Sequence, residues 1–142
     1  MIIIKPDGVQ KKLIGEALSR FEKAGLNINH LEVRKIKKAH AKKFYGHLKN
    51  KLHPKIFDNI IEYMTSDKVV IGVLEGVDAA SRVRKICGPT NPKQAPKGTI
   101  RGDFGEDDLA IRAKQLKATR NIIHSSESHK HAKKEFKILR GK

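Results

Sequence analysis

Met1-Ile2-Ile3-Ile4 is an apolar, β-branched run with no polar position in it, and it predicts a short buried strand. Pro6-Asp7-Gly8 predicts a turn. From Val9 to Ala24 the apolar residues fall at Val9, Leu13, Ile14, Ala17, Leu18 and Phe21. That is the spacing of a helix with one apolar face, and Gly25 suits its stop. Leu26, Ile28 and His30, then Leu31, Val33 and Ile36, alternate with a slip, which predicts a long strand bulged near His30. Ala41 to Lys49 predicts a short helix. Pro54 can open another, with Ile56, Phe57, Ile60, Ile61 and Met64 on its apolar face.

Val69 to Leu74 predicts a strongly apolar strand, and Ala79 to Ile86 a helix halted by Gly88-Pro89. Thr90 to Asp108 holds three Gly and two Pro and predicts a long ordered loop. Loops of that length are usually functional or disordered. Asn121-Ile122-Ile123-His124 is a short strand, and Ser126 or Ser128 could cap the closing helix, whose inner face is Ala132, Phe136 and Leu139. Without the extra helix, the order is β-α-β-β-α-β. The expected fold is therefore α+β, a ferredoxin-like sandwich of four antiparallel strands with helices on one face and a long loop. That fold hosts many functions, so function must come from a site.

The 142 residues suit a single domain, 1–142. One cysteine, Cys87, excludes an intramolecular disulfide and fits a reducing compartment. No apolar run is long enough to span a membrane, and Met1 to Lys5 is too short for a signal peptide, so the expected location is cytoplasmic with no membrane partner. Lys and Arg number 31 against 15 Asp and Glu, a formal net charge of +16. Two readings compete: a nucleic-acid surface, or general basicity with a site for polyanionic small ligands. Aromatics are 5% with no Trp, which leaves few platforms for stacking single-stranded bases.

Several residues could carry chemistry. His124 closes an apolar strand and enters a Ser-rich turn. On its own it reads first as a hydrogen-bonded strand-end histidine; the other reading is an imidazole nucleophile, which needs a partner on its other nitrogen and cations nearby. Glu135 on the next helix could be that partner, or a surface glutamate among lysines. Arg101, in the Gly/Pro loop, and Arg84, late in a helix, carry planar forks suited to phosphate oxygens when held in place. Thr90, Asn91 and Lys5 could add a hydroxyl, an amide and a charge. The familiar phosphate loops, kinase loops and zinc spacings are absent.

Taken in order, these segments resemble the nucleoside diphosphate kinase family. Ile4-Lys5-Pro6-Asp7-Gly8-Val9-Gln10 looks like its opening motif, continued by Leu13-Ile14-Gly15-Glu16 and Arg20-Phe21-Glu22-Lys23. Glu62-Tyr63-Met64-Thr65-Ser66 and Leu74-Glu75-Gly76 are similar to its middle. Gly88-Pro89-Thr90-Asn91-Pro92 and Pro96-Lys97-Gly98-Thr99-Ile100-Arg101-Gly102-Asp103-Phe104 resemble its long loop. Asn121-Ile122-Ile123-His124-Ser125-Ser126-Glu127-Ser128 resembles its active-site motif, and the match spans nearly the whole chain.

The resemblance implies that His124 accepts the phosphoryl group, with Glu135 orienting it and Ser126 beside it. It places phosphate contacts on Arg84, Arg101 and Thr90, sugar and phosphate contacts on Lys5 and Asn121, and an active-site tyrosine on Tyr45. Ile56 stands where the family has a base-stacking phenylalanine, and the segment from Glu106 to Thr119 is longer than is common. The implied activity is ping-pong transfer of a γ-phosphate from a nucleoside triphosphate, typically ATP, to a nucleoside diphosphate, through a phosphohistidine. Mg²⁺ would be bound through the nucleotide phosphates rather than by the protein. A homo-oligomer, hexamer or tetramer, is the implied assembly. The alternative is a basic nucleic-acid-binding protein of the same fold that has lost the chemistry.

Overall fold

The computed structural model describes residues Met1–Lys142. Strand β1 (Ile2–Ile4) leads into a short helix α1 (Pro6–Gln10), so Pro6-Asp7-Gly8 is a helical first turn rather than a free turn. Proline at the first helical position loses no bond it could have made, because that N–H has no partner within the helix. The single helix expected over Val9 to Ala24 is two, α1 and α2 (Ile14–Lys23). Lys12 has a φ of 61°, and the Leu13 N–H donates back to Gly8 O at 3.0 Å, a left-handed stop that sequence period does not reveal. Gly25 ends α2 as expected, at a φ of 79°.

Strand β2 (Asn27–Arg34) pairs with β3 (Val69–Glu75), with the predicted bulge between Ile28 and His30. Between them lie α3 (Lys38–Phe44), a 3-10 turn (Gly46–Leu48) and α4 (Pro54–Ser66). Helix α5 (Ala79–Cys87) follows β3 and stops at Gly88, whose φ is 83°. The expected long loop contains a 3-10 turn at Pro92–Gln94 and a short helix α6 (Ile100–Phe104) capped by the Thr99 hydroxyl. Helix α7 (Leu109–Lys114), strand β4 (Ile123–Ser125) and helix α8 (His129–Leu139) complete the chain. Ser128 caps α8, accepting from the His131 N–H, whereas Ser126 is used elsewhere.

The four strands form one antiparallel sheet in the order β2-β3-β1-β4. Alternation along β1 sends Ile2 and Ile4 to one face and Ile3 to the other, and all three are fully buried. On the first face Ile2, Ile4 and Val70 pack with Ala17 and Phe21 of α2, Val83 and Cys87 of α5, and Ile100. On the second, Ile3, Val69 and Ile71 pack with Phe44 of α3, Ile61 and Met64 of α4, and Ile138 and Leu139 of α8. Helices therefore cover both faces, not one. The helices added between β2 and β3 and after β4 supply the second layer, which is why β1 and β3 read as continuous apolar runs. No helix is long and apolar enough to cross a membrane.

Candidate active site

Alternation in β4 decides where its histidine points. Ile123 pairs with Ile4 and joins the α2–α5 core, so His124, opposite Ile3, faces α3 and α8. There the Phe44 ring meets the imidazole edge-on, centroids 5.1 Å apart. Glu135, in the second turn of α8, places Oε2 at 3.0 Å from His124 Nε2. The same oxygen lies 2.5 Å from Ser126 Oγ, which is also 3.1 Å from Met1 O. A carboxylate only accepts, so Nε2 carries the proton and Nδ1 keeps its lone pair. The His124 side chain is 22% exposed, enough for a reactant to reach it.

Electrostatics favour the same state. Burial pushes the His124 imidazole below its ordinary value, with Lys5 and Arg101 adding to the effect and Glu135 opposing it. The ring is therefore neutral near pH 7, as a nitrogen nucleophile must be. Burial works to raise the Glu135 carboxyl, but His124 and the Ser126 hydroxyl together hold it below the usual range. The Tyr45 side chain is buried beside Phe44, and its hydroxyl has no hydrogen-bond partner. Burial, with the Glu135 charge, raises its pKa, so it stays a proton donor.

A second set of residues forms the cationic side. Lys5 Nζ donates to Asn121 Oδ1 at 2.7 Å, and Asn121 Nδ2 donates to Thr90 O at 2.9 Å. Burial and the Arg101 charge bring Lys5 down to about 8. Arg101 is only 7% exposed and donates to three backbone carbonyls: Gly88 at 2.7 Å, Asn121 at 3.3 Å and Ile123 at 2.5 Å. It braces the loop and β4 from beneath, with two of its five N–H groups uncommitted. Arg84 and the Thr90 side chain are exposed. Both line a groove of about 1050 Å³ between α5 and the start of α8, which also reaches Arg101 and Ser126 but not His124. The site is therefore defined by its hydrogen-bond network rather than by this groove. No group of three His, Cys, Asp or Glu is gathered to hold a metal ion.

Ile56 is half-buried in the first turn of α4, while the neighbouring Phe57 is only 7% exposed and belongs to the core, so it cannot replace the missing aromatic. The long segment after the loop is anchored at both ends. The Leu109 N–H donates to Asn91 Oδ1 at 3.1 Å, and the Ala118 N–H to Asn59 Oδ1 at 2.7 Å. Asn91 follows Thr90, and Asn59 shares a helix face with Ile56 three residues earlier. The segment thus crosses from the loop at Asn91 to α4.

Sequence reading missed a buried clamp. Asp7, 6% exposed, accepts from the Tyr63 hydroxyl and, through Oδ2 at 3.0 Å, from the Ile122 N–H. Ile122 has a φ of 74°, unusual for a β-branched residue and costing roughly 1–3 kcal/mol. Its carbonyl accepts from the Lys5 N–H at 2.8 Å. A Cβ on Gly8 would lie 2.7 Å from that carbonyl, so the glycine leaves the room it needs. The Lys-Pro-Asp-Gly segment is thus a cradle for the backbone two residues before His124. No spacing or periodicity in the sequence marks this clamp.

With this geometry established, the comparisons with known proteins agree. The model of a family described as nucleoside diphosphate kinase matches residues 1–141. A nucleoside diphosphate kinase of Sulfurisphaera tokodaii is 45% identical over 138 residues, covering 97% of this chain and 85% of that protein. Among solved structures, a nucleoside-diphosphate kinase from Borrelia burgdorferi, a transition-state mimic with bound vanadate and ADP, superposes with a TM-score of 0.90 at 34% identity. It is covered over 83% of its length, and 96% of this chain is matched. An NDP kinase from Pyrobaculum aerophilum gives a TM-score of 0.86 at 32% identity, with 96% of this chain and 92% of that one covered. Fold, order of motifs and relatives converge: the chain belongs to the nucleoside diphosphate kinase family.

Proposed function

We propose that this single-domain chain is a nucleoside diphosphate kinase working through a phosphohistidine on His124. The observation that carries the proposal is the Glu135–His124 pair, which ties up Nε2 and leaves Nδ1 unprotonated on a side chain that is 22% exposed. In the first half-reaction the Nδ1 lone pair attacks the γ-phosphorus of a nucleoside triphosphate. The bond to the β,γ-bridging oxygen breaks, and the diphosphate leaves with that electron pair. In the second, a β-phosphate oxygen of another diphosphate attacks the same phosphorus and the P–N bond breaks. Nδ1 becomes cationic in between, and the Glu135 carboxylate at Nε2 stabilises it.

The spread negative charge of the transferring group is met by Lys5, Arg84, the Thr90 hydroxyl and the free N–H groups of Arg101, the main protein contribution in phosphoryl transfer. The Tyr45 hydroxyl is buried without a hydrogen-bond partner, so it donates to the substrate only where binding uncovers it. Asn121 shares the sugar side with Lys5, and the base lies against Ile56. Aliphatic cover forgoes aromatic stacking, on the order of 1–3 kcal/mol per base. Mg²⁺ enters as part of the substrate, carried on the nucleotide phosphates. Strand β2 is an unpaired edge with Leu31 and Val33 45% and 57% exposed, which supports a homo-oligomer such as a hexamer or tetramer. The reading includes a cytoplasmic location.

The test is incubation with γ-labelled ATP. Acid-labile label should appear on His124 and pass to an added diphosphate. An unlabelled wild type, or a fully active His124→Ala, would sink the assignment.

A further inference from the structure

The excess positive charge is not spread over the molecule. The stretches 35–57 and 128–142 hold 14 of the 31 Lys and Arg and a single acid, Glu135, which is turned onto His124. Everything else holds 17 cations and 14 acids, close to balance. General basicity would not concentrate charge in this way.

In the fold the two stretches are neighbours. The first forms α3, the 3-10 turn and the start of α4, and the second forms α8, which packs against α3. Gly141, just past α8, lies beside the His40 ring on α3. All 14 cationic residues are exposed, and none forms an ion pair. Lys38 with Lys42, Lys130 with Lys134, and Lys133 with Lys137 are like-charge pairs four apart on their helices, each unfavourable. An acid at one member of each pair would have been stabilising.

We propose that this α3–α8 face binds the phosphate backbone of double-stranded nucleic acid, DNA or RNA, without regard to sequence. Phe44, Tyr45 and Phe57 are buried and Phe136 is half-buried beneath Arg140, so the face offers no free phenylalanine or tyrosine ring on which bases of a single strand could stack. The exposed large apolar residues, Leu31, Val33, Val77, Leu109 and Ile111, all lie outside these two stretches. The face therefore lacks the apolar anchors of a membrane-surface helix. A second copy of the chain would bring like charge against like. What remains are lysines in rows, the chemistry of phosphate neutralisation and counterion release.

The experiment is fluorescence anisotropy with labelled random-sequence DNA and RNA duplexes, the matching single strand and anionic phospholipid vesicles, from 50 to 200 mM salt. Duplex Kd should fall in the range of about 1–100 µM near physiological salt, and neutralising six phosphates would cost about 10³-fold across that salt range. The variant K38Q/K42Q/K43Q/K133Q/K134Q/K137Q should weaken duplex binding at least about tenfold. Its log–log salt slope should flatten by about one for each phosphate it no longer neutralises. It should still form phosphohistidine, which shows that it folds. His124→Ala should bind duplex as wild type does. No saturable duplex binding at 50 mM salt, an unchanged slope in the lysine variant, or tighter binding to vesicles or single strand would each overturn the proposal. A fall in nucleotide kcat/KM in the lysine variant with no duplex binding by wild type would assign the charge to nucleotide steering instead.

Discussion

Burial holds the His124 imidazole below its ordinary 6.5 and brings Lys5 down to about 8, and these shifts set opposite limbs of one pH profile. The nucleophile must be neutral, so activity is lost only as pH falls through the depressed His124 value. Lys5 must be charged, so activity is lost again as pH rises through about 8. The profile of kcat/KM, which reports the free enzyme, should therefore be a bell with its acid limb below 6.5 and its alkaline limb near 8. Lys5→Arg keeps its charge and should carry the alkaline limb away from 8; a limb that stays there has another source. Glu135→Gln keeps an acceptor for Nε2 but removes the charge that raises His124. The acid limb should move lower still, while single-turnover phosphorylation slows by about a hundredfold because no carboxylate stabilises the cationic ring. At this scale the order of motifs points to His124, Glu135, Ser126, Lys5, Asn121 and Thr90, and the fold links the first three in one hydrogen-bonded set and the last three in another. The motifs mark Arg101 as a phosphate ligand, yet it spends most of its fork on backbone carbonyls. Asp7 is not legible, because a buried carboxylate serving a tyrosine and one backbone N–H has no signature in spacing.

Among the elements, α1 carries the sharpest test. Glycine inside a helix normally gives way to alanine with a gain of about 1 kcal/mol. At Gly8 the sign should reverse, because the new methyl would meet the Ile122 carbonyl at 2.7 Å and the Ile4 side chain at 2.9 Å. Gly8→Ala should lose roughly 1–3 kcal/mol in urea unfolding, in the range of overpacked cores. His124 phosphorylation should slow with it, since Ile122 sets the entry of β4. A neutral or stabilised variant would show that the cradle is not needed. The strands, the bulge near His30 and the helices α4, α5 and α8 are legible because their apolar periods are strong. The break at Lys12 is not, because the apolar spacing runs through it and only a left-handed φ interrupts the helix. Helix α6 is hidden by the glycines and prolines around it, and its Thr99 cap is the overlooked sign.

For the whole molecule, the four-strand frame follows from the order of elements, but the second helical layer does not. Alternation in β1 marks two buried faces only when Ile2, Ile3 and Ile4 are all seen as covered, and three residues are too few to show that by pattern. The uneven charge makes a prediction at this scale. Fourteen cations without ion pairs, gathered in two stretches whose helices α3 and α8 pack together, repel one another, so added salt should stabilise the protein by screening them. Tm should rise as sodium chloride increases from about 20 to 200 mM, where the Debye length falls below about 10 Å. The six-lysine variant should show a smaller rise, and an equal rise in both would place the repulsion elsewhere. The sheet order has a consequence for how the protein is made. Strand β1 is synthesised well before both its neighbours, β3 and β4. An isoleucine-rich segment must wait on the ribosome with two open edges until β3 and then β4 have been made. The histidine reaches its position only when β4 closes the second edge, so catalytic competence and the end of that exposure arrive in the same folding step.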